Sequence, residues 1–336
     1  MLNLTRREEY LSRENTQALK GVLAIAVFLS HLIPASGVFG TSILNTLFHM
    51  LGYLSVSLFF FLSGYGLMAS YSKRKHEYVK KMPVEKILPF YCIIVFLVLL
   101  YQIFGLLIGD SFDWMRLIGS LTFGETIIAN GWYLQVQLVL YILFFLVFGC
   151  VKDSAFKQIF TLGAVCILFI AVLIALGFSS TWYECIPSFL LGIVWYLHKK
   201  NIDKILGNNK RWFVLLSISF ILFIALVLGG KLITLTYINI FLKTLSALTF
   251  AVFAMILIFN IPIKFSVANF LGKYSLEIYV MQGLFITLFH SGLVYIDNPY
   301  LYILLVSIFV IVFAITLNPI IKFIYSAWRK KNEHKT

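Results

Sequence analysis

The stretch Lys20-Gly-Val-Leu-Ala-Ile-Ala-Val-Phe-Leu-Ser-His31 decides how this chain is read. It is an apolar run with an ionisable group at each end. Eleven steps of about 100° come to roughly 1100°, three turns plus about 20°, so Lys20 and His31 share one helix face about 16 Å apart along the axis. A cation near one side of a bilayer and an imidazole near the other are costly there and call for a function or a partner.

The rest of the chain supports a bilayer. Of 336 residues 61% are hydrophobic and only 12% charged, with 33 Phe and 18 Tyr, and the mean hydropathy is +0.94. A soluble core of this length does not absorb so much apolar surface. The composition predicts an all-α, polytopic helical membrane protein of about ten transmembrane helices, forming a single membrane domain over residues 1–336. The expected spans are roughly 19–37, 47–70, 87–108, 131–149, 159–177, 183–197, 212–229, 237–259, 274–290 and 301–321, followed by a short basic tail over 322–336. Residues 118–130 read as an amphipathic or partly re-entrant piece. The run 19–37 is too long and too late for a simple cleaved signal peptide. Cys92, Cys150, Cys166 and Cys185 are scattered, without metal-ligand spacing or a disulfide framework.

The net charge of +13 is a topology signal. Alternate loops, with the N-terminus and the tail, hold 24 of the 27 Lys and Arg residues; only Arg116, Lys231 and Lys243 lie elsewhere. The positive-inside rule then places both termini in the cytosol, with anionic lipid as a partner for the basic face. No nucleic-acid role is needed to explain the charge. Lys20 falls at the cytosolic mouth of the first span and His31 in its outer third, at the depth of His49 and His290. His76, His198 and His334 read as solvated residues of basic loops or the tail.

Each remaining candidate has two readings. His31 is a general base for a hydroxyl, a packed structural histidine, or part of a proton path. The loop 71–86, with Lys80, Lys81 and Lys86 among its six cations, holds the phosphates of a soluble donor or merely anchors topology. Lys243 and Glu277 are costly inside spans and need partners; Glu277 is expected to meet Lys20 or Lys86, and Lys243 to meet Glu125 or Glu184. Trp132-Tyr133 and Trp182-Tyr183-Glu184 form an interfacial belt or stack on sugar rings. In Phe59-Phe-Phe-Leu-Ser-Gly-Tyr65, Ser63 and Gly64 permit close backbone approach, whereas a nucleophilic Ser63 has no supporting motif.

These stretches together resemble the acyltransferase-3 family of integral membrane O-acyltransferases, often acting on cell-envelope glycans. The likeness rests on Ala18-Leu-Lys-Gly-Val-Leu-Ala-Ile-Ala-Val-Phe-Leu-Ser-His31, Phe59 to Tyr65, Lys86-Ile-Leu-Pro-Phe-Tyr91, Trp132-Tyr-Leu134 and Leu271-Gly-Lys-Tyr-Ser-Leu-Glu-Ile-Tyr279. The resemblance implies about ten helices in a bacterial plasma (inner) membrane and a cytosolic acyl-CoA co-substrate, acetyl-CoA first among them. It also implies a glycan or lipid-linked saccharide acceptor at the outer face, and no permanently bound cofactor or metal. It puts His31 in the role of the family histidine and Lys20 and Lys86, with Lys80 and Lys81 beside them, at the donor. Ser63, Tyr65, Trp132, Tyr133, Glu184, Lys243, Glu277 and Tyr279 are substrate or structural candidates. Lys20 and Lys86 stand where the family generally has arginine, keeping the charge but losing the planar fork. The rival classes are a saccharide transporter or flippase, a proton-coupled transporter, and a non-catalytic scaffold with the same fold. No internal repeat or pair of broken spans favours transport.

Overall fold

The computed structural model describes residues 10–151, 154–233, 235–263 and 265–333, with side chains to Trp328. His334 and the end of the tail lie outside the described residues. The described chain is helical apart from connecting segments: α1 Arg13–Ser36, α2 Ile43–Met82, α3 Leu88–Leu107, α4 Trp114–Leu121, α5 Trp132–Cys150, α6 Ala155–Ala175, α7 Ile186–Leu206, α8 Asn209–Leu232, α9 Thr236–Asn260, α10 Ser266–Gly272, α11 Ser275–Leu288 and α12 Pro299–Glu333. A π-helical turn, Pro83–Ile87, joins α2 to α3.

Among the described residues seven helical segments are long and apolar enough to cross a bilayer: Arg13–Ser36, Ile43–Leu107, Trp132–Cys150, Ala155–Ala175, Asn209–Leu232, Thr236–Asn260 and Pro299–Trp328. The protein is therefore an all-α polytopic membrane protein. The stretches expected as 47–70 and 87–108 both fall within Ile43–Leu107, whose helical backbone breaks at Lys75 (φ 48°, ψ −128°). Two further expected stretches are helical but outside the seven. In α7 the polar run His198 to Lys204 dilutes the apolar part. With 14 residues, α11 is about 21 Å long, short of a bilayer's hydrocarbon core of about 30 Å.

The chain divides into two compact units. The first comprises residues up to Leu23, Tyr53–Lys75 and Ala155–Lys273; the second comprises Ala24–Gly52, His76–Ser154 and Tyr274 onward. In the first unit α6, α7, α8 and α9 pack as successive neighbours, with α9 also on α7. Its core gathers Tyr10, Leu19, Leu58, Phe61, Trp195, Met255 and Phe259. Trp195 Nε1 donates to Tyr10 Oη at 2.7 Å, and the Trp195 ring meets Phe61 edge-on at 5.8 Å. Burial, reinforced by the Asp203 carboxylate, pushes the Tyr10 phenol above its ordinary range, so Tyr10 stays a neutral acceptor for that indole.

Lipid gives helices no hydrophobic reason to associate, so small residues and hydroxyls make the contacts. A Cβ at Gly64 would stand 2.0 Å from the Phe189 carbonyl oxygen, and one at Gly192 would stand 2.0 Å from that of Phe61. Here α2 and α7 touch backbone to backbone, as Ser63-Gly64 led us to expect of the α2 side. Ser57 Oγ, 2.8 Å from Ser188 Oγ, also donates to the Ala247 carbonyl at 3.1 Å, tying α9 to the same seam. At the start of α1, Gly21 is pressed against the Ala268 carbonyl, and Gln17 Nε2 donates to the Asn269 carbonyl at 2.9 Å.

In the second unit α3 packs on α4, α5, α11 and α12, and α11 lies along α12. Two tyrosines lock α11 into this bundle. Tyr101 Oη of α3 donates to the Val280 carbonyl, and Tyr302 Oη of α12 to that of Ile286. The second of these rings also stacks on His290, centroids 4.0 Å apart and 6° from parallel.

Candidate functional site

The site is built around His31, in the part of α1 that belongs to the second unit. Its side chain is half-buried and forms no hydrogen bond with a described residue. Among the described residues the ionisable group placed to interact with it is His49 of α2. One residue before it, Ser30 donates from Oγ to the Val27 carbonyl at 2.7 Å. Its Oγ stands 2.7 Å from where a Cβ on Gly52 would be. That glycine lets α2 close on α1 beside the imidazole. The third histidine expected at this depth, His290, is engaged with Tyr302 instead.

Lys20 stands on the same helix, eleven residues earlier, in the part belonging to the first unit. Both residues belong to the one helix Arg13–Ser36. Lys86 sits in the π-helical turn, with Nζ 4.6 Å from the centre of the Tyr141 ring. A cation over an aromatic face is a stable resting place for an ammonium. Of the other loop cations, Lys80 is exposed, and Lys81 Nζ donates to Glu77 Oε1 at 2.8 Å.

The remaining candidates separate into structural pairs. Glu277, 3% exposed, accepts from Nδ2 of Asn318, with Lys322 as the cation that faces it. Glu184 accepts from Ser180 Oγ at 3.1 Å and is faced by Lys243. Tyr65 meets Tyr196 edge-on at 5.3 Å within the first unit. Tyr133 and Tyr279 come together at 5.2 Å, and Tyr279 Oη donates to the Asn130 carbonyl. Trp132 lies half-buried against Tyr133 with centroids 6.4 Å apart. Among the described residues no cluster of three or more His, Cys, Asp or Glu side chains is arranged to hold a metal ion.

The Glu277–Asn318 pair yields a stability prediction. Replacing one partner of a buried hydrogen bond leaves the other desolvated, at a cost of about 1–3 kcal/mol. Asn318→Leu should accordingly lower the thermal midpoint in detergent, with the Glu277→Leu/Asn318→Leu double variant recovering part of the loss. Equal midpoints for wild type and Asn318→Leu would show that the bond contributes nothing.

Residues 122–131 supply what the pattern of apolar runs only hinted at. Ala129 Cβ lies 2.4 Å from where a Cβ on Gly283 would be, so this irregular segment reaches the middle of α11. Irregular backbone at such depth must satisfy its polar groups within the protein. Gln135 does much of this: its Oε1 accepts from Gly124 N at 3.0 Å and its Nε2 donates to the Gly119 carbonyl at 2.8 Å. Ser120 Oγ accepts from Ile127 N, and Arg116 Nε donates to the Thr126 carbonyl at 3.2 Å.

Two further buried amides in this unit were not singled out from the sequence. Gln137 of α5 and Gln282 of α11 are 2% and 0% exposed, and neither side-chain nitrogen nor oxygen has a partner among the described residues. Buried amides are almost always hydrogen-bonded, so both are candidate contacts for polar atoms of a substrate. The available signal was an amide inside a run otherwise apolar.

A family model described as an acyltransferase domain matches residues 15–318. Searches of curated proteins and of solved structures gave no match. The match takes in α1 with Lys20 and His31, the basic turn with Lys86 and the helices that follow, and the chain belongs to the acyltransferase-3 family.

Proposed function

We propose that the protein moves an acyl group, acetyl in the first instance, from acyl-CoA to a hydroxyl of an envelope or exported saccharide in the bacterial inner membrane. Family membership carries the reading, and His31 gives it a chemical centre: a half-buried imidazole without a hydrogen-bond partner among the described residues has a lone pair available to a substrate.

The donor thioester enters from the cytosolic side with its phosphates held by Lys20 and Lys86, aided by Lys80 and Lys81. A pantetheine arm of about 15–20 Å matches the rise between Lys20 and His31 along α1. His31 takes the proton of the acceptor hydroxyl as its oxygen attacks the thioester carbonyl. The new C–O bond forms, the C–S bond breaks, and the imidazolium returns the proton to the departing thiolate. Atoms and charge balance without a covalent enzyme intermediate. Mass spectrometry of envelope glycans from cells with and without the protein tests the proposal. It should find an O-acyl ester missing in the second case; identical ester content would count against it.

The donor role of Lys20 makes a separate prediction. A hydrogen bond to a charged group is worth about 1.5–3 kcal/mol, so Lys20→Ala should raise the KM for acyl-CoA about tenfold or more. Lys20→Arg should retain or improve the wild-type value. An unchanged KM in Lys20→Ala would remove this residue from the donor site.

A further inference from the structure

The segment Ala24–Gly52 belongs entirely to the second unit and forms a helical hairpin: the later part of α1, a short connection and the start of α2. Its titratable side chains are His31 and His49 alone. No carboxylate, lysine or arginine stands between Ala24 and Gly52.

Local sequence builds the turn. Pro34 has no N–H for the Ser30 carbonyl, which weakens the last turn of α1. Ser36 Oγ then donates to the Ile33 carbonyl at 2.8 Å and accepts from Val38 N at 3.3 Å. Gly37 and Gly40, in the left-handed region (φ 68° and 50°), reverse the chain. Phe39 of the connection stacks on Phe48 of α2, centroids 5.9 Å apart and 8° from parallel.

The hairpin is thus pinned by Phe39 on Phe48 at the turn and by Ser30 against Gly52 further in. Both histidines lie between these contacts. His31 is one residue from Ser30 and His49 three from Gly52, each toward the turn. Their rises from the Ser30–Gly52 crossing are about 1.5 and 4.5 Å, an axial offset of about 3 Å. Three residues apart, His49 and Gly52 share the face of α2 that meets α1. The two rings lie within electrostatic reach of each other.

Their surroundings differ. His31 is half-buried, whereas His49 is exposed. On the same face of α2, four residues before His49, Asn45 has a buried Oδ1 without a partner among the described residues. It is an acceptor one turn from the ring, suited to the additional N–H of a charged His49. Two neighbouring imidazoles titrate as a pair, because a charge on one opposes a charge on the other. The exposed ring, with an acceptor beside it, is the member that charges first. The half-buried ring is left neutral, the form that takes a proton from a hydroxyl.

We infer that His49 is a positioning residue for His31: its positive charge keeps the neighbouring imidazole in the proton-accepting form as the membrane face bearing the α1–α2 connection is acidified. The inference rests on the reading of His31 as the base, but the coupling of the two rings is independent of the reaction.

The test uses the purified full chain in nanodiscs. Ring-¹³C histidine is titrated by NMR from about pH 4.5 to 8, with resonances assigned from His31→Gln and His49→Gln. Release of CoA from acetyl-CoA is followed over the same range. In His49→Gln the His31 titration and the acid limb of kcat/KM should both move to higher pH by about half a unit or more, since a like charge has been removed. His49→Arg, charged throughout, should return both to the wild-type position or below it. An identical His31 titration in all three proteins, or shifts of the same sign in His49→Gln and His49→Arg, overturns the inference. The two readings fail separately. Coupled rings in a protein that releases no CoA would remove the acyl-transfer reading and leave the pair; CoA release with uncoupled rings would do the reverse.

Discussion

Replacing His31 by alanine is expected to lower kcat for acyl transfer by about 10²–10⁴, the usual contribution of a positioned general base. The protein should still accumulate and insert, because the imidazole makes no hydrogen bond with a described residue and its loss breaks no pairing in the bundle. The KM for acyl-CoA should change little, since the proposed mechanism has the ring meet the acceptor proton and not the donor phosphates. His31→Gln should be nearly as inactive, as an amide of similar size has no basic lone pair. Initial rates measured with purified protein, normalised to folded material by gel filtration, decide the matter. A His31→Ala enzyme turning over at the wild-type rate would make the residue structural.

The second large effect falls on folding. Where a Cβ at Gly192 would meet the Phe61 carbonyl oxygen at 2.0 Å, and one at Gly64 that of Phe189 at the same distance, the obstructing atoms are backbone and cannot turn aside. The two helices would have to separate, breaking the nearby Ser57–Ser188 hydrogen bond. Overpacking costs about 1–3 kcal/mol where side chains can adjust, and a backbone obstruction should lie at or beyond the upper end. Gly192→Val and Gly64→Val should therefore give little folded protein, and Gly192→Ala a clearly reduced thermal midpoint. Gly66→Ala, two residues beyond Gly64 on α2 with nothing within 4 Å of its added Cβ, is the control and should behave as wild type. Equal stability of Gly192→Ala and Gly66→Ala would refute the close crossing.

Much of the fold was legible because lipid simplifies the problem. Long apolar runs have few structural options in a bilayer, so composition and run length alone pointed to an all-α membrane protein. That Lys20 and His31 lie in one helix followed from the apolar run between them. Gly64 was readable as a point of close approach, although its partner carbonyl was not. What escaped depends on contacts between distant segments. Tyr133 and Tyr279 lie near the starts of spans expected to begin on opposite faces of the membrane, yet they touch. The reason is that α11 has only 14 residues and the segment before α5 reaches its middle. Gln137 and Gln282 carried a faint signal, polarity within an apolar run, that composition could not rank.

The central claim is that this membrane protein forms an ester by His31-dependent transfer from acyl-CoA. Purified protein in detergent, given [¹⁴C]acetyl-CoA and deacylated envelope glycan, measures it in one reaction. Label should pass into a glycan-bound product released by hydroxylamine, in step with free CoA, and His31→Ala should yield neither. Absence of labelled ester, together with saturable flux of unacylated saccharide when the same protein is placed in proteoliposomes, would contradict acyl transfer and make the protein a transporter.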